Sequence, residues 1–114
     1  MTREFIYMPS FERAWNEAKL SDENLKDLEI YLCEDPNAGD MIQGTGGLRK
    51  LRWAIPGKGK SSGIRTLYID FASFGQIFMV VCFRKSNKDN LNNAEKKSIK
   101  TIIKKIKDNL QQGG

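Results

Sequence analysis

The chain has 114 residues, of which 39% are hydrophobic and 29% are charged, which suits one domain with a single core and leaves no room for two. We therefore predict a single domain over residues 1–114. Histidine is absent and there are only two cysteines, Cys33 and Cys82, which excludes histidine-based triads and argues against a structural zinc site. The composition predicts no metal and no cofactor.

The sequence shows no sign of secretion or of membrane insertion. Arg3 and Glu4 stand near the first residue and no long apolar run follows them. No stretch approaches the ~18 apolar residues that a membrane span needs. The two cysteines lie in unrelated contexts, so we expect reduced thiols, a cytoplasmic protein and no membrane partner.

The net charge of +5 is unevenly distributed along the chain. Residues 1–40 hold 4 Lys/Arg and 10 Asp/Glu, and residues 41–114 hold 15 and 4, so the two parts carry −6 and +11. Between residues 41 and 69 there is no acid, but there are six cations: Arg49, Lys50, Arg52, Lys58, Lys60 and Arg65. A polyanion can balance such a run, which predicts RNA, DNA or an acidic protein segment as the partner. A solvated basic hairpin that only aids solubility is the alternative.

An N-terminal edge strand over residues 4–8 is predicted to precede two helices. Ser10 is the expected N-cap of the first helix, whose aromatic residues Phe11 and Trp15 have the spacing of a buried stripe. Ser21 begins the second helix, which the pair Asp35-Pro36 ends.

Three strands and a last helix are predicted to follow. Residues 44–47 form a turn that requires positive φ, and residues 48–54 and 64–71 form a cationic hairpin. Residues 77–83 are the most continuously apolar run and the expected central strand. Asn92 caps the last helix, which has an apolar stripe that includes Ile102 and many lysines around it. This order of elements predicts an α+β fold with an antiparallel sheet.

Alternation along the hairpin assigns its cations to faces of the sheet. Arg49 shares one face with Leu51 and Trp53, whereas Lys50 and Arg52 point to the other face. In the second strand of the hairpin, Arg65 shares its face with the apolar residues Leu67, Ile69 and Phe71.

Several motifs resemble the HigB branch of the RelE/ParE toxin superfamily. They are the segment GTGGLRKLR, the G-x-R-x-x-Y pattern of residues 63–68, the strand end Phe83-Arg84-Lys85 and the D-N-L of residues 89–91. The resemblance covers roughly residues 25–105. It implies a RelE-like fold, in which an N-terminal strand and a helical hairpin precede a small antiparallel sheet and a C-terminal helix.

The same resemblance implies a type II toxin, a ribosome-dependent endoribonuclease that cuts mRNA against the 16S rRNA surface and so inhibits translation. It also implies a cognate antitoxin with a helix-turn-helix DNA-binding domain. Lys50 and Arg52 match basic positions of the family's second strand, Arg65 matches the arginine of G-x-R-x-x-Y, and Lys85 matches a lysine at the last strand's end. The family often has a tyrosine where this chain has Phe83.

RNA carries its own nucleophile, the 2′-hydroxyl, so basic side chains can cleave it by stabilising charge on the phosphate without a metal. Lysine can move protons when neighbouring cations lower its pKa. The predicted catalytic residues are Arg65, Lys85, Arg52 and Arg84. The predicted RNA-binding residues are Arg49, Lys50, Lys58, Lys60 and Tyr68.

Two other function classes stay open. One is a non-enzymatic inhibitor on the same scaffold, as in the ParE branch, which acts on DNA gyrase. The other is a basic module that only binds RNA or an acidic protein. A nuclease requires three or more cations around Arg65 in one concave patch, whereas a simple binder spreads its cations along a stripe.

Overall fold

The computed structural model describes residues 2–54, 63–85, 88 and 90–113. The predicted α+β class is confirmed, and the one strand that the sequence did not predict is a two-residue β2. The elements are β1 (Glu4–Tyr7), α1 (Pro9–Glu17), α2 (Asp22–Glu34), β2 (Asp40–Met41), β3 (Arg49–Trp53), β4 (Ile64–Phe71), β5 (Gln76–Arg84) and α3 (Asn93–Gln112).

The strands form one sheet in the order β1-β5-β4-β3-β2. β1 lies at the edge, as predicted, and pairs in parallel with β5, while all other pairs are antiparallel. The prediction that residues 77–83 form the central strand was wrong, because β4 occupies the middle and seven of its eight residues are buried. Arg65 and Thr66 are among the buried residues of β4. Because these two side chains are polar, the sequence of β4 does not indicate how deeply the strand is buried.

Each face of the sheet carries its own core. On the first face α1 and α2 cover a cluster that contains Leu51, Tyr68 and Met79, and Phe11 and Trp15 are buried in it, as predicted. On the second face α3 covers a cluster that contains Leu67 and Ile69. The predicted alternation of β3 and β4 is therefore confirmed.

A bulge in β5 decides where the end of that strand points. Leu67 pairs with Val81 and Tyr68 with Met79, so Val80 has no partner in β4. The carbonyl of Val80 accepts a hydrogen bond from the hydroxyl of Ser10. Beyond the extra residue the alternation is shifted, which turns Cys82 toward the first face and the next residue toward α3.

Two of the three predicted helix N-caps are confirmed. The Ser21 hydroxyl accepts from the Asn24 amide, and Asn92 forms a capping box with Glu95. Ser10 is not a cap: Met8 is the N-cap of α1 and Pro9 is its first residue, a position that suits the fixed φ of proline.

Two further predictions concern local geometry. Gly44, Gly46 and Gly47 adopt φ of 79°, 81° and 119°, which confirms the predicted turn. Ile102 was expected in the buried stripe of α3, but 37% of its surface is exposed. In the part of the chain that the structure describes, no helix has the length and apolar character to cross a membrane.

Candidate functional site

Three of the predicted catalytic cations line one open hollow of about 270 Å³. We call it the cationic hollow and define it by its lining residues, Arg52, Trp53, Ala54, Gly63, Arg65 and Lys85. Arg52 comes from β3, Arg65 from β4, and Lys85 directly follows β5. The structure thus brings together residues that lie up to 33 positions apart in the sequence.

Strand register explains why these cations meet. Arg52 lies directly opposite Arg65 in the antiparallel pair of β3 and β4, and Arg65 lies opposite Phe83 of β5. The Lys85 amide donates to the carbonyl of Gly63 at 3.3 Å, which holds the end of β5 beside the start of β4. All three cations therefore stand at the same end of three neighbouring strands.

The three cations differ in exposure. Arg65 is only 3% exposed, whereas Arg52 and Lys85 are exposed at the rim. Arg65 therefore forms the floor of the cationic hollow and can present only part of its guanidinium to a ligand. An anion in the hollow would meet one buried guanidinium and two exposed cations.

Lys50 lies on the same face of β3 as Arg52, two residues away and so about 7 Å along the strand. Its ammonium donates to the side-chain oxygen of Asn90 at 2.6 Å. This contact ties β3 to the segment that precedes α3. Lys50 adds a further positive charge beside the cationic hollow without lining it.

Tyr68 was predicted to bind RNA, but its placement contradicts that prediction. The side chain is fully buried on the first face of the sheet. Its hydroxyl donates to the Pro36 carbonyl at 2.7 Å and accepts from the Gly39 amide at 2.9 Å. Burial raises the pKa of the phenol. Tyr68 therefore holds the loop between α2 and β2 and has no access to a ligand.

Two predicted arginines also lie away from the hollow. The guanidinium of Arg49 donates to the Gly39 carbonyl at 2.7 Å, beside Tyr68 on the first face. The guanidinium of Arg84 donates to the Ala18 carbonyl at 2.5 Å, at the end of α1. The prediction grouped Arg84 with Lys85 by adjacency, but neighbours in a strand point to opposite faces. The cations that face Lys85 are therefore Arg52 and Arg65.

The remaining sequence predictions about the site concern loops and metals. Lys58 and Lys60 lie outside the described residues, so their RNA-binding role stays a prediction. Within residues 2–54, 63–85, 88 and 90–113, no group of three or more Cys, Asp and Glu side chains is placed to hold a metal ion.

Trp53 is a wall of the cationic hollow, whereas the sequence pattern indicated only that it shares a face of β3 with Arg49 and Leu51. Its ring lies 5.5 Å from that of Tyr31, centroid to centroid, with the planes tilted by 59°. Its indole N–H is buried without a hydrogen-bond partner among the described residues. Its place next to Arg52 at the end of β3 is the only sequence signal that could have indicated this role.

A larger groove of about 560 Å³ lies between β5 and α3. Its lining is mostly apolar and includes Phe83, Leu91 and Ile99. Lys88 lies 6.0 Å from the centre of the Phe83 ring and pairs with Glu95, whose pKa it lowers. The groove is lined by one cation and one carboxylate, whereas three cations line the cationic hollow, so the groove suits a phosphate less well.

A family model described as the RelE toxin of the RelE/RelB toxin–antitoxin system matches residues 6–113. The chain belongs to the RelE toxin family. A mutant of the E. coli toxin RelE in the free state has a similar structure, with a TM-score of 0.52 and 22% sequence identity. The match covers 77% of this chain and 88% of that chain.

At this identity the structural likeness establishes the shared fold, and the predicted RelE-like fold is confirmed. Membership of the RelE family makes the chain the toxin of a toxin–antitoxin system, with an antitoxin as its partner. The assignment to the HigB branch stays a prediction.

Proposed function

We propose that this RelE-family toxin is a ribosome-dependent endoribonuclease that cuts mRNA and so stops translation. The observation that carries the proposal is the cationic hollow. Arg52, Arg65 and Lys85 stand around one concavity, which is the arrangement that a nuclease requires and a simple binder does not.

The charge balance of the hollow supports an anionic substrate. Like charges directly opposite each other on neighbouring strands destabilise a sheet, and Arg52 faces Arg65 in this way. Lys85 adds a third positive charge at the same end. A bound phosphodiester would replace this repulsion with charge-assisted hydrogen bonds.

The residues of the hollow fit metal-independent cleavage of RNA. The 2′-oxygen attacks the adjacent phosphorus and loses its proton, the bond to the 5′-oxygen breaks, and that oxygen gains a proton. The products are a 2′,3′-cyclic phosphate and a 5′-hydroxyl. Negative charge gathers on the phosphoryl oxygens, where Arg65 and Arg52 donate hydrogen bonds. Lys85, at the open rim, supplies a proton or a positive charge.

We expect activity to require the ribosome. In-line attack needs a bent RNA, and the open hollow has no second wall among the described residues to impose the bend. The ribosome would fix the mRNA path and hold the scissile phosphate in place. Purified toxin should therefore leave naked mRNA intact and cut the same mRNA on programmed ribosomes, as primer extension would show.

Rapid cutting of naked mRNA at specific sites would contradict this ribosome dependence. A gyrase supercoiling assay serves as the parallel control. Inhibition of gyrase, together with intact mRNA on ribosomes, would replace the nuclease with a non-enzymatic inhibitor of the ParE type.

The antitoxin offers a separate test. An uninhibited mRNA nuclease would kill its host, so we expect a tight inhibitor encoded next to this gene, with a helix-turn-helix domain as in the HigB branch. An acidic segment of it could cover residues 41–114, which carry +11, or it could bind the acidic helical pair instead. Co-expression should restore growth, and the two proteins should co-purify. Failure to co-purify at low salt would count against this pairing.

A further inference from the structure

The lysines of α3 are concentrated on one side of the helix. Lys97, Lys100, Lys104 and Lys107 are all exposed and follow the spacing i, i+3, i+7 and i+10. At about 100° per residue they fall within roughly 80° of arc, and they extend over about 15 Å along the axis. We call these four residues the lysine flank.

The other side of α3 has a different character. Ser98 and Ile102 stand there and line the apolar groove, and Lys105 is the one lysine of the helix on that side. Of the remaining lysines in the helix, Lys96 is half-buried and Lys105 points away from the flank. Solubility alone needs charge on the surface and does not need it segregated in this way.

The segregation works against the helix itself. Successive lysines of the flank are three or four residues apart, the spacing at which like charges repel on a helix. Among the residues that the structure describes, Lys104 is the only member of the flank with an ion-pair partner, Asp108 at 3.3 Å. The last turn, where the helix dipole would favour cations, has none. A partner that supplies negative charge accounts for an arrangement that the isolated helix does not favour.

The flank lies on the same side of the molecule as the cationic residues of β3. A Cβ added to Gly46, in the turn before β3, would lie 3.9 Å from Cγ of Lys100 and 3.6 Å from Ile103. Just before the start of the helix, the Lys50 ammonium donates to the side-chain oxygen of Asn90. The flank therefore continues the positive surface that begins at Lys50 and the cationic hollow.

We propose that the lysine flank binds the phosphate backbone of an RNA double helix, supplied by the ribosome. The inference rests on the proposed function and adds the surface through which the toxin binds the ribosome. Over about 15 Å of axis, one strand of a double helix presents roughly four to five phosphates, a number comparable with the four lysines.

The residue types of α3 favour a duplex over single-stranded mRNA. Proteins that bind single strands stack bases on aromatic side chains, and α3 contains no aromatic residue. It also contains no arginine, the residue that reads guanine or clamps a phosphate with two hydrogen bonds. Lysines alone make backbone contacts that are independent of sequence.

The test compares two variants of the full chain that each lose three positive charges. The flank variant carries Lys97→Gln, Lys100→Gln and Lys107→Gln, and the control carries Lys19→Gln, Lys26→Gln and Lys105→Gln at exposed positions elsewhere. The probes are ribosomes without mRNA, an RNA duplex and a single strand of the same length, each titrated at several salt concentrations.

The flank variant should lose about 2 to 3 units from the slope of log affinity against log salt, both on the duplex and on ribosomes. The control variant should keep the slope of the wild type. The thermal midpoint of the flank variant should equal or exceed that of the wild type, because repulsion is relieved. Equal slopes for the two variants would overturn the proposal.

Two other outcomes would also overturn it. Equal loss of single-strand and duplex binding would assign the flank to the mRNA path, and loss of antitoxin binding with intact RNA binding would assign it to a protein. The nuclease proposal is judged separately by single-turnover cleavage on programmed ribosomes. At saturating toxin concentration, the flank variant should cut mRNA at the wild-type rate. If the wild-type protein binds duplex RNA through the flank but cuts no mRNA, only the nuclease proposal is refuted.

Discussion

Replacement of Lys85 by alanine should lower the single-turnover rate of mRNA cleavage on programmed ribosomes by about a hundred-fold or more. Lys85 stands at the rim of the cationic hollow, where its charge or proton would act mainly in the transition state. Ribosome affinity should change little, because one exposed cation among many is lost. The measurement is the cleavage rate at saturating toxin, which separates chemistry from binding.

The adjacent arginine provides a matched control. Arg84→Ala removes the same charge one residue earlier, but Arg84 points to the opposite face and contacts Ala18. We expect its cleavage rate to stay within about twofold of the wild type. Equal rates for Lys85→Ala and the wild type would show that the hollow only docks RNA.

Arg65 needs a more conservative change, since it is almost fully buried. Alanine there would open a gap in the most buried strand and confuse lost stability with lost chemistry. Arg65→Lys keeps the charge but loses the two-pronged donor, so we expect a partial loss of cleavage in a folded protein. A wild-type rate in this variant would mean that Arg65 does not bind the phosphate through bidentate hydrogen bonds.

Much of the site could be predicted because it depends on local pattern. Alternation assigned Arg52 and Arg65 to definite faces of their own strands, and antiparallel pairing brings the two residues opposite each other. The resemblance of Phe83-Arg84-Lys85 to the family motif added Lys85. These steps need only strand period and chain order, which the sequence carries directly.

The features that the sequence could not indicate have a different origin. The bulge at Val80 reverses which face each later residue meets, and its hydrogen-bond partner, Ser10, lies 70 positions away in the sequence. The sequence around Val80 is uniformly apolar, so nothing in it marks the extra residue. Arg84 was misplaced for the related reason that charge was counted without regard to face.

Tyr68 was misassigned because the sequence cannot show what its hydroxyl contacts. The two partners, the Pro36 carbonyl and the Gly39 amide, belong to a loop about 30 residues earlier. A Cβ at Gly39 would lie 3.0 Å from the Lys50 backbone and 3.0 Å from the Tyr68 ring, so a larger residue there would require the strand or the ring to shift. The loop and the ring therefore pack as one unit beneath β3.

Removal of the Tyr68 hydroxyl, which joins the loop to the ring, should have a large effect on stability. Tyr68→Phe should lower the free energy of unfolding by roughly 1–3 kcal/mol, because the Gly39 amide would stay buried without its partner. Denaturant unfolding measures the change. Tyr31→Phe, at a position 43% exposed, is the control and should stay within about 0.5 kcal/mol of the wild type.

The difference between Tyr68→Phe and the wild type should depend on pH. Burial raises the pKa of the Tyr68 phenol in the folded protein, whereas the unfolded chain ionises near pH 10. The stabilising contribution of the neutral phenol is therefore complete below about pH 10 and is lost as the pH rises further. The two unfolding free energies should converge in that range. A gap that widens there would contradict the placement of the phenol.

Cleavage by Tyr68→Phe decides whether a tyrosine takes part in the chemistry. Tyr68 lies on the face of the sheet that α1 and α2 cover, whereas Arg52 and Arg65 of the cationic hollow lie on the other face. The folded variant should therefore cut mRNA at the wild-type rate and with the same pH profile. A tenfold slower rate, at a temperature where the variant is fully folded, would give the phenol an acid or base role that its burial argues against. An unchanged rate would mean that Lys85 or the RNA-bound ribosome, and not Tyr68, carries out the proton transfer.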